Sequence, residues 1–371
     1  MGTIRHLANA VSEGLKGALP WQRKTQRDKL SLAIAAALEA RTGNMAEIAA
    51  LLPLETERTD MRYQWLSRLV ANPLIKVEEV MEPFARRALE EACAQGQTVV
   101  LSIDQTAVRE RHGVLMVSLG YGDRALPLYW CTQAGEGNIG YEAQEGLLDQ
   151  VRAWLPPAAK VMLLGDRFFG SPDLIRYCQR HGWGYRLRLK GNLLVDTGRV
   201  STTTGELAPG VPPRGLYLTD VLLTGQEVPT NLGILHEAGH EEAWIIAMDA
   251  VPTRARVLDY GTRWPIESLF SDFKTRGFNL EQSHLVYADR LARLILILTL
   301  ALHWAARSGR DDALKHPLPV EKKAQSTLDD VATVVRRAAR SQLSWFKRGL
   351  RLLRYLAQRL TPLPRFYECP A

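Results

Sequence analysis

Two short apolar runs, each closed by an aspartate, constrain this chain more than any other feature. Residues 98–104 read Thr-Val-Val-Leu-Ser-Ile-Asp, and residues 160–166 read Lys-Val-Met-Leu-Leu-Gly-Asp. Runs this short, rich in β-branched and aliphatic side chains, suit buried strands. Between them lie two further strand-like runs, 113–120 and 126–131, parted by Gly122-Asp123-Arg124, and then a helical stretch, 141–155, stopped by Pro156 and Pro157. Ser171-Pro172-Asp173 opens another helix with a capping serine, a proline at its first position and an acid in its first turn. Gly182 ends it, and residues 185–190 form the next strand. The order is three strands, helix, strand, helix, strand, which predicts an α/β core. In such a sheet the carboxyl ends of strands are where functional groups gather, and Asp104 and Asp166 both stand there. Taken singly, either could simply begin a turn.

The flanks differ. Residues 1–92 carry helical spacing, as in the Ala- and Leu-rich stretch 30–40 and in 45–52, 64–70 and 77–93. Short helices joined by tight breaks fit a helix-turn-helix-like DNA-reading module, and equally a helical packing unit that binds nothing. Residues 191–250 are rich in Gly, Thr and Pro, with strand-like runs at 216–223 and 243–248, which predicts a β-rich insertion. Helical pattern returns near Val251 and persists, with a break expected around 309–319. The expected divisions are therefore 1–92, a helical N-terminal DNA-binding region; 93–190, the first part of the core; 191–250, the insertion; 251–308, the second part of the core; and 309–371, a basic helical C-terminal region. At 371 residues the chain has room for two or three domains.

Lys and Arg outnumber Asp and Glu by 47 to 40, a net charge of +7, which leans toward an anionic partner. The excess concentrates near the end: between Val331 and Arg365 stand Arg336, Arg337, Arg340, Lys347, Arg348, Arg351, Arg354, Arg359 and Arg365, with no acid among them. Trp345, Phe346 and Tyr355 interleave with these charges. Cys93, Cys131, Cys178 and Cys369 form no C-x-x-C pair, so neither a zinc ribbon nor a dithiol redox motif is written, and a reduced, cytoplasmic chain is expected. No secretory h-region follows Met1, and the most apolar run, 294–306, falls short of the ~20 residues a bilayer needs. It predicts a buried helix and no membrane partner. His236-x3-His240 has helical metal spacing but no third ligand in view. The phosphate-loop motif of ATP-driven enzymes is absent.

A third carboxylate comes with its neighbours. Tyr260, Arg263, Glu267 and Lys274 are spaced by three, four and seven, which on a continuous helix sets them within an arc of about 60°. Such a face is costly to bury and should meet solvent, a partner or a cleft. An ordinary surface stripe with an i,i+4 Arg263–Glu267 pair gives the same pattern, and Pro265 inside it predicts a kink or a helix start.

The segment Tyr-Gly-Thr-Arg-Trp-Pro-Ile-Glu-Ser-Leu-Phe-Ser-Asp-Phe-Lys resembles the YREK signature of bacterial DDE transposases of the insertion-sequence-four type. Ser102-Ile103-Asp104-Gln105-Thr106 and Gly165-Asp166-Arg167-Phe168-Phe169-Gly170 are similar to that family's first- and second-aspartate segments. The resemblance implies an RNase H-like core with a β-rich insertion between the second Asp and the Glu, flanked by helical N- and C-terminal regions. It implies Asp104, Asp166 and Glu267 as the catalytic triad and as ligands of two Mg²⁺ ions, with Mn²⁺ as a substitute. Three converging acids suit this chemistry because two hard cations, about 4 Å apart, need oxygen ligands and open positions. Alternation along one strand turns Arg186, Arg188 and Lys190 to one face. A charged edge strand would look the same, but relatives use the positions of Arg188 and Lys190 to contact DNA. Trp244 resembles a tryptophan that stacks on a flipped base during hairpin formation, although a strand tryptophan is commonly core. Tyr260, Arg263 and Lys274 are assigned to DNA phosphates.

The activity so implied is cut-and-paste transposition: binding of terminal inverted repeats, strand cleavage, a hairpin intermediate and joining to target DNA. Synapsis of two ends implies a homodimer on double-stranded DNA, in the bacterial cytoplasm at the nucleoid. A nuclease of the same fold that makes no strand transfer, and a DNA-binding repressor without catalysis, are the alternatives.

Overall fold

Strand β1 (Val99–Val108) turns back into β2 (His112–Tyr121), and β2 into β3 (Arg124–Ala134), as an antiparallel meander. Helix α6 (Tyr141–Trp154) then carries the chain across to β4 (Val161–Gly170), parallel to β1, and α7 (Pro172–Arg180) to β5 (Gly184–Leu189), parallel to β4. Ser171 caps α7 by accepting the Leu174 N–H at 3.2 Å, with Pro172 at the first position, and the chain leaves the helix through Gly182 at φ 65°. The spatial order β3-β2-β1-β4-β5 is that of an RNase H-like core in a mixed α/β fold.

The structure, a computed structural model, describes residues 2–317 and 344–368 except 123, 136, 226, 238, 240, 275 and 276. His240, Cys369, and Arg336, Arg337 and Arg340 of the basic tail lie outside the described residues.

The strands of the insertion extend the same sheet. Strand β10 (Trp244–Met248) pairs antiparallel with β5, and β9 (Val228–Leu235), β8 (Leu216–Leu223), β6 (Leu194–Asp196) and β7 (Ser201–Thr203) follow in that order, making ten strands among the described residues. The sequence concealed β9, because Pro229, Asn231 and Gly233 dilute its strand character. Gly233 is there for packing: a Cβ at this position would run into Val257.

Five helices precede the sheet: α1 (Gly2–Ala18), α2 (Lys24–Ala40), α3 (Met45–Ala50), α4 (Thr59–Val70) and α5 (Val77–Cys93). Their buried side chains, among them Leu7, Ile34, Leu66 and Phe84, join one hydrophobic core with those of β1 to β5. After the sheet come α8 (Arg254–Leu258), α9 (Pro265–Phe273), α10 (Ala288–Lys315) and α11 (Trp345–Gln358). Helix α10 is long and apolar enough to cross a membrane, but 83% of its most apolar window is buried, against α2, β3 and α11. Helix α10 runs through Gly309 and ends at Lys315, within the 309–319 stretch where a break was expected. Gly309 and Gly349 form a helix crossing, where a Cβ on either would collide with backbone of the other helix. Arg348 on α11 is tied to Asp312 at 2.6 Å and Arg354 to Glu39 at 3.1 Å, so part of the basic tail is spent inside the fold.

Candidate active site

The two strand-closing aspartates meet because of register. In the parallel β1–β4 ladder Ile103 lies opposite Gly165, so Asp104 and Asp166 follow side by side on strands about 4.8 Å apart. Past Gly165 strand β4 leaves β5 and rejoins it only at Gly170, which opens the sheet where Asp166, Arg167 and Phe168 stand. Asp166 Oδ1 accepts the Phe168 N–H at 2.8 Å, and Asp104 Oδ1 accepts the Gln105 N–H at 2.8 Å, fixing both carboxylates from their own backbone.

The Tyr260–Lys274 stripe is not one helix face. Tyr260 and Arg263 lie on a separate 3₁₀ turn (Asp259–Arg263), Pro265 starts α9, and Lys274 caps the end of α9 outside the helix. Proline lacks the N–H and crowds the carbonyl four residues back, so it begins a helix where the spacing suggested continuity. The corner also takes two of these side chains out of solvent. Arg263 is only 7% exposed and Tyr260 5%.

Buried at this corner, Arg263 donates from one terminal nitrogen to Asp104 Oδ2 at 2.9 Å and from the other to Glu267 Oε1, in the first turn of α9. Its Nε has no hydrogen-bond partner among the described residues, and the guanidinium carbon lies 5.6 Å from the centre of the Tyr260 ring. One guanidinium therefore joins the first acid to the third, with the second acid alongside. Burial pushes the Asp104 carboxyl up to about 6, the charges of Asp166 and Glu267 add to this, and Arg263 and the Gln105 N–H oppose it. For Arg263, burial acts to lower the pKa, but Tyr260 and the three carboxylates together hold it above its ordinary value.

This donor set fits a hard divalent cation by chemistry: three carboxylates, no soft ligand, and two neighbouring negative charges that add to the rise burial gives Asp104. Among the described residues no three metal-binding side chains are gathered closely enough to hold an ion as they stand. The cation between Asp104 and Glu267 is Arg263.

The remaining candidates divide. Trp244 is 7% exposed and packs edge-on against Tyr260, ring centres 5.2 Å apart, which is a core contact rather than an open platform. Tyr260's hydroxyl is pushed up by burial, while Arg263 and Arg188 work the other way. Lys274 lies 3.8 Å from Glu281. The expected row of three cations reduces to two, because Arg186 is buried in an ion pair with Asp249 at 2.7 Å and donates to the Arg256 carbonyl. Arg188 pairs with Glu242 at 3.3 Å, and Lys190, just beyond the end of β5, sets its ammonium 5.2 Å from the centre of the Phe168 ring.

Residues 107–304, more than half of the chain, match the family described as Transposase DDE domain. The chain belongs to the transposase DDE-domain family. The match takes in Asp166, Glu267 and the whole corner from Tyr260 to Lys274, and begins just past Asp104. No curated protein matches the sequence. Membership makes the chain a transposase-type enzyme acting on DNA, in a family whose domains generally use divalent metal. Sequence reasoning passed over three groups of this transposase domain. Glu242 binds Arg167 at 2.6 Å as well as Arg188 at 3.3 Å, and two open aromatic rings, Phe168 (55% exposed) and Trp264 (56%), adjoin Asp166 and Arg263 in the chain. The rings were legible as neighbours of the motifs. Glu242 had no signal, since its partners are 54 and 75 residues away.

Proposed function

We propose that this transposase-family chain is a divalent-metal-dependent cut-and-paste transposase of the insertion-sequence-four type. It binds the terminal inverted repeats of its own element, frees a 3′-hydroxyl at each end and joins those ends to target DNA. One observation carries this reading: the register that sets Asp104 beside Asp166, with Glu267 tied to Asp104 through Arg263. Asp104, Asp166 and Glu267 are the side chains that would hold two Mg²⁺ or Mn²⁺ ions, which when bound supply Lewis-acid activation of the attacking oxygen and stabilise the leaving one.

The chain's own cations position the substrate. A planar guanidinium now shared by two carboxylates is also the group best shaped to take two oxygens of a phosphate, so Arg263 is assigned to the phosphate at the cleaved end. Tyr260, stacked beside it, holds that guanidinium in plane and offers its hydroxyl to the same phosphate. Arg188, Lys190 and Lys274 bind flanking phosphates and fix the register of the duplex. If the second strand is cut through a hairpin, a displaced base needs an aromatic face. Trp244 reaches that role only by leaving Tyr260, whereas Phe168 and Trp264 are already open. Pairing of two element ends calls for a homodimer, assembled in the bacterial cytoplasm at the nucleoid.

Strand transfer separates this reading from a simple nuclease. Precleaved element ends with free 3′-hydroxyls, incubated with the protein, Mg²⁺ and a supercoiled target, are expected to give joined products on a gel. Hydrolysis of the duplex with no joined product would reassign the chain as a nuclease of the same fold.

A further inference from the structure

A second site lies at the far end of β1. The turn between β1 and β2 and the loop after α9 enclose a cavity of about 80 Å³, lined by Arg109, Arg111, His112, Ser283 and His284 together with two aliphatic side chains. Its polar lining consists of two guanidiniums, two imidazoles and a hydroxyl, with no carboxylate. Glu110 and Glu281 are near in sequence but do not line it. Arg109 is anchored by donation to the Glu281 carbonyl at 2.7 Å, whereas Arg111 is exposed and makes no side-chain ion pair among the described residues.

His112 is the decisive member. It is 3% exposed, and its Nε2 lies 3.1 Å from the Leu285 carbonyl oxygen. A carbonyl only accepts, so Nε2 carries the hydrogen. The other ring nitrogen, Nδ1, is buried with no partner among the described residues, on a side chain that lines this cavity. Leaving a buried polar atom unmatched is costly. The two guanidiniums that line the cavity with it, unopposed by any carboxylate in the lining, are matched by an anion.

Register supplies the location. Val108 pairs with His112 and Asp104 with Met116, so the side chains of Asp104, Val108 and His112 share one face of the sheet. Four residues separate Asp104 from Val108, about 13 Å of strand. That is about four base-pair steps along a duplex whose scissile phosphate sits at Asp104.

We propose that this pocket is a DNA-phosphate site: Arg109, Arg111 and His112 grip one backbone phosphodiester roughly four base pairs from the cleavage position. The inference rests on the transposase reading for what the DNA is, but its test does not require cleavage.

The test is the salt dependence of binding by the full chain in EDTA, read by fluorescence anisotropy. Two labelled duplexes are used, one carrying the element's flanking repeat and one of scrambled sequence. A single lost phosphate contact makes the slope of log K against log salt shallower by about 0.9. Arg111→Gln, at an exposed position, is expected to show that change and a severalfold weaker Kd, and adding His112→Asn should change the slope little further, because both side chains serve one phosphate. A change confined to the repeat duplex assigns the pocket to the element end, and a change on both duplexes assigns it to any DNA, target included; each supports the site. An Arg111→Gln slope equal to wild type on both duplexes overturns it. Wild-type protein that cleaves and joins ends while Arg111→Gln keeps the wild-type slope would sink the pocket alone. Protein that shows the pocket-dependent slope but never joins ends would sink the transposase reading alone.

Discussion

Glu242 holds Arg167 and Arg188 at 2.6 and 3.3 Å, on the surface beside Asp166. Exposed pairs of this kind contribute little to stability, about 0–1 kcal/mol. Their consequence is occupancy, since a carboxylate on two guanidiniums stands where a phosphate would bind. Glu242→Gln is therefore expected to tighten duplex binding severalfold at low salt, with the gain fading as ionic strength rises, and to leave the unfolding midpoint unchanged. Equal affinities for the two proteins at low salt would show that these arginines do not face DNA. At this scale the sequence was partly legible. Asp104 and Asp166 could be read because each closes an apolar strand, and Glu267 because four residue types recur at fixed gaps around it. The burial of Arg263 could not be read, since it depends on a corner at Pro265 and on an acid 159 residues away.

Elements were legible where pattern and cap agreed. Helix α7, with Ser171, Pro172 and Gly182, is the clear case. Elements whose shape is decided by a distant neighbour were not. Strand β9 is held by pairing with β8 and β10 despite Pro229 and Gly233, and α10 continues past Gly309 because α11 packs directly on that glycine. The same helix carries a pH liability. His303 is fully inside, its Nε2 2.8 Å from the Pro127 carbonyl oxygen, and burial pulls its pKa down to about 4, with Arg307 adding to the fall and Pro127 and Glu91 opposing it. The folded chain thus demands the neutral ring. The stability this provides is complete above the ordinary pKa of 6.5 and is lost as pH falls from there toward 4, about 3 kcal/mol in all. His303→Gln keeps a donor for Pro127 without a titrating charge. In urea unfolding it should lose correspondingly less stability than wild type between pH 7 and 4. Parallel pH curves for the two proteins would mean that His303 titrates normally.

For the whole molecule, the decisive arrangement is a sheet whose parallel centre brings two carboxylates together and whose antiparallel extension, through β10, puts Trp244 and Tyr260 against each other behind the third. The α/β order of the core followed from the sequence because each strand announces itself locally. The joining of the insertion strands to the same sheet did not, because the β5–β10 pairing links segments some 60 residues apart. The most direct measurement is cleavage of a labelled duplex carrying the element's own flanking repeats, with Mg²⁺, Mn²⁺ or EDTA, resolved on a denaturing gel. Wild type should nick in either metal and not in EDTA, and Asp104→Ala, Asp166→Ala and Glu267→Ala should each abolish the nick while still binding the duplex. Cleavage that persists in EDTA, or in any one of the three variants, would contradict the assignment of these carboxylates as the catalytic triad.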